Sequence, residues 1–284
     1  LGLEAWTAPV AWGAVAVRAL ASARPKHDAL GLARNITVAN LLSGALGYGP
    51  QVCAVIEADD PDILASALAA LHPHNRATKP APFLPLGGTR SLLKSAVVEL
   101  HGAAPTPVDR VALPASAPFG GLDVDVDACT LCLSCVSTCP TGALSDSEDR
   151  PALHFAENAC VQCGLCAATC PENAITLTPQ VDFEAWRAPR RTIKQEEPAH
   201  CINCDKPFGT KSTIDRIVAR LEGRHWMFAG DNAARIDVVR MCDTCRIEAV
   251  TNEGFDPYEA PARPAPRTTE DYIRARDTSN TKPG

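Results

Sequence analysis

Cys129-Thr-Leu-Cys132-Leu-Ser-Cys135-Val-Ser-Thr-Cys139-Pro140 is followed, 31 residues on, by Cys160-Val-Gln-Cys163-Gly-Leu-Cys166-Ala-Ala-Thr-Cys170-Pro171. Both runs read C-x2-C-x2-C-x3-C-P, so the chain carries an internal duplication at the point where its thiols are densest. Three thiols two residues apart let a tight loop fold over one face of a compact metal centre, with its amide N–H groups aimed at sulfur. The fourth ligand must then come from elsewhere. Structural zinc also uses C-x2-C pairs, but it has no need of a third thiol in the same run or of the repeated Cys-Pro.

The duplicated run resembles that of the two-cluster bacterial-type ferredoxins, over about a fifth of the chain. The resemblance implies two [4Fe-4S] clusters with exchanged fourth ligands. One would be held by Cys129, Cys132, Cys135 and Cys170, the other by Cys160, Cys163, Cys166 and Cys139. Such an exchange would force the two clusters together in one pseudo-symmetric unit, close enough for an electron to hop between them. The flanks agree with it. Asp125-Val-Asp127 and His154-Phe-Ala-Glu157 read as short extended segments leading into the runs, and Thr141-Gly-Ala-Leu144 and Glu172-Asn-Ala-Ile175-Thr-Leu177 as segments leaving them.

With 284 residues and 46% apolar content, the chain has room for two or three compact units with real cores. A net charge of −6, with no Lys/Arg run interleaved with aromatics, excludes a nucleic-acid partner. Twelve of the thirteen Cys stand in C-x2-C or C-x3-C steps, which is metal spacing in a reducing compartment rather than a disulfide scaffold, and a cytoplasmic location follows. The thirteenth, Cys53, reads as a buried strand residue. No run of about eighteen apolar residues predicts a membrane span. The sequence opens at Leu1 without Met and with a helix feeding a strand, which reads as the later part of a longer polypeptide.

The expected fold class is α+β: a partial α/β, Rossmann-like half over 1–72, a Pro-rich linker with one helix (89–101) over 73–121, a ferredoxin-like 2[4Fe-4S] domain over 122–180, a four-cysteine knuckle module over 195–255 and a tail over 256–284. In the first segment, residues 14–20 and 51–57 read as strands, and helices follow from an Asp28 cap to Leu46 and from Asp60-Pro61. The second helix would bury Ile63, Leu64, Ala67, Leu68 and Leu71. This βαβα half carries no G-x-G-x-x-G and so no dinucleotide site. Through Gly47-Tyr-Gly49, the strand and the acidic helix start, it resembles the small α/β domain of the iron–sulfur delta subunit of methyl-viologen-reducing hydrogenases and heterodisulfide reductase complexes. Members of that family hold a [2Fe-2S] centre on several Cys, whereas this segment offers only Cys53.

Thr89 is expected to cap the linker helix, and the Pro-rich flanks serve as linkers or as straps over a neighbouring surface. Six acids lie between Leu122 and Asp149 with no cation among them, while Arg187, Arg190, Arg191 and Lys194 follow the second run without an acid. They read as solvated surface or as rims that steer redox partners. The tail is read as disordered or as an arm laid on a partner, with Tyr258, Tyr272 and Ile273 as its large apolar anchors.

Cys201-Ile-Asn-Cys204-Asp-Lys-Pro-Phe208 and Cys242-Asp-Thr-Cys245 form two further pairs with 37 residues between them. C-x2-C followed by a turn, Lys and an aromatic predicts a zinc knuckle, and two knuckles complete a tetrahedron; Zn is favoured here, with a further iron–sulfur centre as the alternative. His200 and His225 are then not ligands. A helix from Ser212-Thr-Ile-Asp215 would bury Ile214, Ile217, Val218 and Leu221, and His225-Trp-Met-Phe228 would pack against a cluster shell.

As a whole the chain resembles the C-terminal part of the 4Fe-4S binding proteins associated with molybdenum formate dehydrogenases and hydrogenase-like complexes. The resemblance implies single-electron relay as a subunit or partner of a larger redox complex. A redox protein is then the expected partner, and a small-molecule substrate is not. No nucleophile with a positioned base, paired carboxylate frame or phosphate loop marks a catalytic residue. The alternative class is a metal-folded redox sensor or interaction protein without a relay role.

Overall fold

The computed structural model describes residues 1–22, 30–252 and 268–279, and its first unit, Leu1–Glu197, is built on two apolar cores. The first core starts from helices α1 (Glu4–Ala11) and α2 (Leu30–Ala45), which bring Trp6, Val10, Val38 and Leu42 together. Asp28, the expected cap of α2, lies outside the described residues. Strands β1 (Val17–Ala21) and β2 (Cys53–Glu57) pair in parallel, Val17 opposite Cys53 and Ala21 opposite Glu57. Asn40 of α2 fastens helix to strand. Its Nδ2 donates to Cys53 O at 2.8 Å and its Oδ1 accepts from Cys53 N at 2.8 Å. Cys53 is buried, and burial pushes its thiol up to about 11, with Arg18 pulling the other way.

Gly47 ends α2 with φ +81°, and a Cβ there would come within 2.7 Å of Thr106 Oγ1. Helix α3 (Pro61–Ala69) begins as its sequence predicts: Asp60 Oδ1 accepts from Asp62 N at 2.7 Å and Pro61 takes the first turn. Its apolar face, by contrast, is not covered. Ile63 and Leu68 stay 56% and 48% exposed, because among the described residues β1 and β2 pair with each other alone and offer α3 no third strand to lie against.

The Pro-rich stretch supplies helix α4 (Thr89–Gly102), whose N-cap is Gly88 without a side-chain cap bond, rather than Thr89. Leu93, Val97 and Leu100 of α4 enter the first core, and Ala81 N donates to Ala11 O at 2.9 Å, so the segment is packed along α1.

The chain continues through β3 (Arg110–Ala112), β4 (Gly121–Val124), α5 (Ser134–Ser137), β5 (Leu144–Ser145), β6 (Ala152–Phe155), α6 (Leu165–Thr169), β7 (Ile175–Thr178), β8 (Gln180–Asp182), α7 (Phe183–Arg187) and β9 (Arg191–Gln195). The pairings among these strands are antiparallel: β3 with β8, β4 with β7, and β5–β6–β9 as a three-stranded sheet. Val181, Phe183 and Trp186 return from β8 and α7 to the first core. The second core, around Leu122, Leu144, Leu153, Phe155 and Ile175, takes in Cys135, Cys160 and Cys166. The extended segment leading into the first cysteine run is Gly121–Val124. Asp125–Asp127 form the turn after it, in which Asp125 Oδ1 accepts from Asp127 N at 3.0 Å and Ala128 N at 3.1 Å.

In the second unit, Pro198–Gly284, β10 (Pro198–His200) and β11 (Pro207–Thr210) form an antiparallel hairpin. Helix α8 (Lys211–Leu221), 3₁₀ segments at Trp226–Phe228 and Gly230–Arg240, α9 (Asp243–Asn252) and α10 (Thr269–Ser279) follow. Thr210, not Ser212, is the N-cap of α8. Val218 of α8 is buried with Phe228 and Ile236, while Ile217 is exposed. Phe228 therefore packs on α8 and its neighbours, away from the cysteine cluster, which has its own small core with Phe208 and Met241. Within the expected tail, α10 opens on a reciprocal cap between Thr268 and Asp271, with Tyr272 and Ile273 exposed; Tyr258 lies outside the described residues.

Candidate metal centres

The two cysteine runs fold as copies of one loop. Left-handed backbone recurs at positions related by the 31-residue repeat: Leu131 (φ 52°) and Gln162 (φ 52°), Leu133 (φ 59°) and Gly164 (φ 79°), Gly142 (φ 61°) and Asn173 (φ 51°). Non-glycine residues in this region cost roughly 1–2 kcal/mol each. The loop is thus held in a shape that the chain alone does not favour, as sites that grip a ligand often are.

Strand pairing decides which thiols meet. β4, which leads into the first run, pairs with β7, which leaves the second; β5, leaving the first, pairs with β6, leading into the second. Val124 opposite Ile175 sets Cys129 and Cys170 each five residues beyond the same rung, and Leu144 opposite Phe155 does the same for Cys139 and Cys160. Asp125 N donates to Ala174 O and Ala156 N to Ala143 O, both at 2.9 Å, which closes the two ladders in matching fashion.

Two chambers result. One is lined by Cys129, Cys132, Cys135 and Cys170 with Val124, Leu131, Leu153 and Ile175 among its walls. The other is lined by Cys139, Cys160, Cys163 and Cys166 with Leu122, Leu144, Phe155 and Leu177. Cys132 and Cys163, the middle thiols of the two runs, are exposed, whereas Cys135, Cys160 and Cys166 are buried. Four thiols on apolar walls, with N–H groups turned to sulfur, form a donor set that fits an iron–sulfur cube.

Several donors are visible. Ala174 N lies 3.4 Å from Cys170 Sγ; Gln162 N and Gln162 Nε2 each lie 3.5 Å from Cys160 Sγ. Burial pushes the Cys135 thiol up to about 12 and raises those of Cys129, Cys160 and Cys166. At Cys132 burial acts upward too, but the Ser134 hydroxyl and amide and the Thr130 hydroxyl outweigh it and lower the thiol. At Cys139 the amides of Leu144, Thr141 and Ala143 and the Thr141 hydroxyl outweigh burial in the same way. Each chamber thus holds one thiol already biased toward the thiolate that a metal needs.

Residues outside the cysteine runs brace the loops. Gly120 is pressed so close that a Cβ would lie 2.5 Å from Thr178 O and 2.7 Å from Gln162 Cδ. In the basic stretch after the second run, Arg187, Arg190 and Arg191 stay exposed while their side chains, with that of Lys194, bond to backbone carbonyls. Arg190 donates to Gly142 O at 2.7 Å and Ala143 O at 3.2 Å, Arg191 to Leu122 O at 2.6 Å, Lys194 to Val126 O at 2.8 Å and to Cys129 O, and Arg187 to Val98 O at 3.3 Å. From α4, Arg90 Nη2 donates to Cys160 O, Nε to Asn158 O at 2.8 Å and Nη1 to Pro118 O at 3.1 Å. Arg90, Gln162, Thr141 and Glu172 are the residues the sequence did not single out. Their only signal there is that they break the 31-residue repeat or lie outside it.

The third cluster is a different object. Cys201 and Cys204 sit at the tip of the β10–β11 hairpin, where Asp205 turns left-handed (φ 60°) and Cys201 N donates to Lys206 O at 2.9 Å. Cys242 and Cys245 sit at the start of α9, and Ile202 N donates to Arg240 O at 3.2 Å between the two pairs. All four Sγ atoms lie within 4.8 Å of one another, and Cys204 Sγ is 3.7 Å from Cys242 Sγ. A tetrahedron with metal–sulfur bonds of about 2.3 Å has sulfur–sulfur edges of roughly 3.8 Å. The set fits a single ion and leaves no room for a four-iron cube. Burial acts to raise the Cys201 thiol, yet the amides of Cys242, Cys204 and Asn203 hold it lowered to about 6. His200 Nδ1 is engaged by Asp205, 2.8 Å from its carbonyl oxygen, and His225 Nδ1 accepts from Met227 N at 3.4 Å.

A search of curated proteins finds no match to the chain. Residues 128–175 match the family model of the 4Fe-4S dicluster domain, so this stretch is a ferredoxin-like iron–sulfur domain.

Proposed function

We propose that the chain is a non-catalytic electron-transfer subunit carrying two [4Fe-4S] clusters, one on Cys129, Cys132, Cys135 and Cys170 and one on Cys160, Cys163, Cys166 and Cys139. The observation that supports this reading best is the crossed strand pairing, which turns the lone fourth thiol of each run toward the other run's loop. A bound cube supplies a one-electron centre whose potential follows from burial and N–H···S bonding. The chain's part is to exclude water with Leu131, Leu144 and Phe155, to orient sulfur with the loop amides, and to leave Cys132 and Cys163 at the surface, where a redox partner can approach.

We further propose Zn²⁺ at Cys201, Cys204, Cys242 and Cys245, supported by the single-ion spacing of the four sulfurs. The α/β segment over 1–72 is read as half of a Rossmann-like domain, supported by the parallel β1–β2 pair. The resemblance noted above makes a formate dehydrogenase- or hydrogenase-type complex in the cytoplasm the proposed setting, and among the described residues no helix is long and apolar enough to cross a membrane. Anaerobic purification followed by metal and sulfide analysis tests the reading. Roughly eight iron, eight labile sulfide and one zinc per chain are expected; a colourless protein holding zinc alone would refute it.

A further inference from the structure

The two chambers share a backbone plan but not a charge environment. Repeat-related positions differ where they touch sulfur: Leu131 corresponds to Gln162, and Thr141 to Glu172. In the Cys160 chamber, Gln162 brings a side-chain N–H within 3.5 Å of Cys160 Sγ, where Leu131 has none to offer Cys129. Thr141 Oγ1 lies 3.8 Å from Cys139 Sγ. In the Cys129 chamber the wall position matching Thr141 is the carboxylate-bearing Glu172.

Each chamber has a cation bonded to a ligand-residue carbonyl, Arg90 at Cys160 and Lys194 at Cys129. They are not equivalent. The guanidinium of Arg90 is surrounded by the carbonyls of Asn158, Pro118 and Cys160 and by the rings of Phe119 and Trp186, each 5.8 Å away, and it makes no ion pair among the described residues. Partly buried, it is screened by water less than a fully exposed cation would be. Lys194 shares its chamber with Glu172. A partly buried positive charge and added N–H donors favour an extra electron nearby, and a carboxylate opposes it.

We infer that the chambers are unequal redox sites, Arg90 and Gln162 making the cluster on Cys139, Cys160, Cys163 and Cys166 the more readily reduced and Glu172 holding the other at lower potential. The inference rests on the proposal that both chambers carry a cluster. One electron taken from a one-electron donor protein would pass from the Cys129 chamber to the Cys160 chamber, with no bond made or broken. Arg90 acts as a positioning residue, through the loop carbonyl and its charge.

Potentiometric titration of the anaerobic full-length protein, followed by EPR, tests it. Wild type is expected to show two one-electron steps. R90Q should lower the upper step by roughly tenfold in its reduction constant, 59 mV for a one-electron couple, and leave the lower step in place; R90K should recover most of the loss. E172Q should raise the lower step alone. If R90Q fails to take up iron, Q162L, expected to lower the upper step, carries the test with E172Q. The inference is overturned if these variants move the same step or neither step while iron and sulfide stay near eight. A wild-type count near four iron overturns the two-cluster reading beneath it.

Discussion

His101 is fixed in one neutral tautomer by its two neighbours. Its Nε2–H donates to Val108 O at 2.9 Å, so Nδ1 keeps the lone pair that accepts from Arg187 Nη2 at 2.6 Å, and the ring stacks on Phe183 with centroids 4.2 Å apart. Burial lowers its pKa below the ordinary 6.5. The Val108 bond raises it, the charge of Arg187 lowers it and that of Asp109 raises it. The unfolded chain therefore takes up the proton first as pH falls. The stabilisation is complete above 6.5, and it declines from there until the folded-state pKa is passed. Denaturant midpoints measured through that window should fall in wild type and stay flatter in His101→Gln; equal slopes would contradict the assignment. Nothing local marks this histidine, since the residues that perturb it come from α7 and from the loop after α4. The cysteines differ in that respect, because a C-x2-C-x2-C loop binds within ten residues and can be read wherever it occurs.

Arg191 of β9 shows why the element scale was only partly legible. The strand Arg-Thr-Ile-Lys-Gln has one apolar residue, too little alternation to announce a strand, yet it completes the β5–β6–β9 sheet. Arg191 reaches across to donate to Leu122 O at 2.6 Å on β4 and lies over the Phe155 ring at 5.5 Å on β6. Arg191→Ala should cost about 1–2 kcal/mol, from one charge-assisted bond and one cation–π contact. Arg191→Lys, which cannot lie flat on the ring, should recover only part. A denaturation midpoint unchanged in the Ala variant would mean that the bond is idle. The helices were easier to read, because a 3.6-residue apolar stripe and an Asp-Pro start are local. What α3 fails to bury was not legible, since that depends on how many strands share the sheet.

The molecule divides into a unit with two apolar cores and a unit with two smaller ones, of which the cysteine cluster forms one; among the described residues Phe208 and Met241 are the partly buried apolar side chains packed against it. A domain with so little apolar mass around these thiols is expected to depend on the proposed metal for folding. Cys242→Ala should therefore make residues 198–252 protease-sensitive and abolish zinc binding while leaving the visible absorption of the iron–sulfur domain; retained protection would contradict this.

The swap of fourth thiols is tested most directly by comparing dithionite-reduced EPR spectra of three variants. Cys139→Ala, though it lies in the first run, should give the residual spectrum of Cys163→Ala and differ from Cys132→Ala. A Cys139→Ala spectrum that matches Cys132→Ala would show that each run closes on its own thiols, and the crossed arrangement would be wrong.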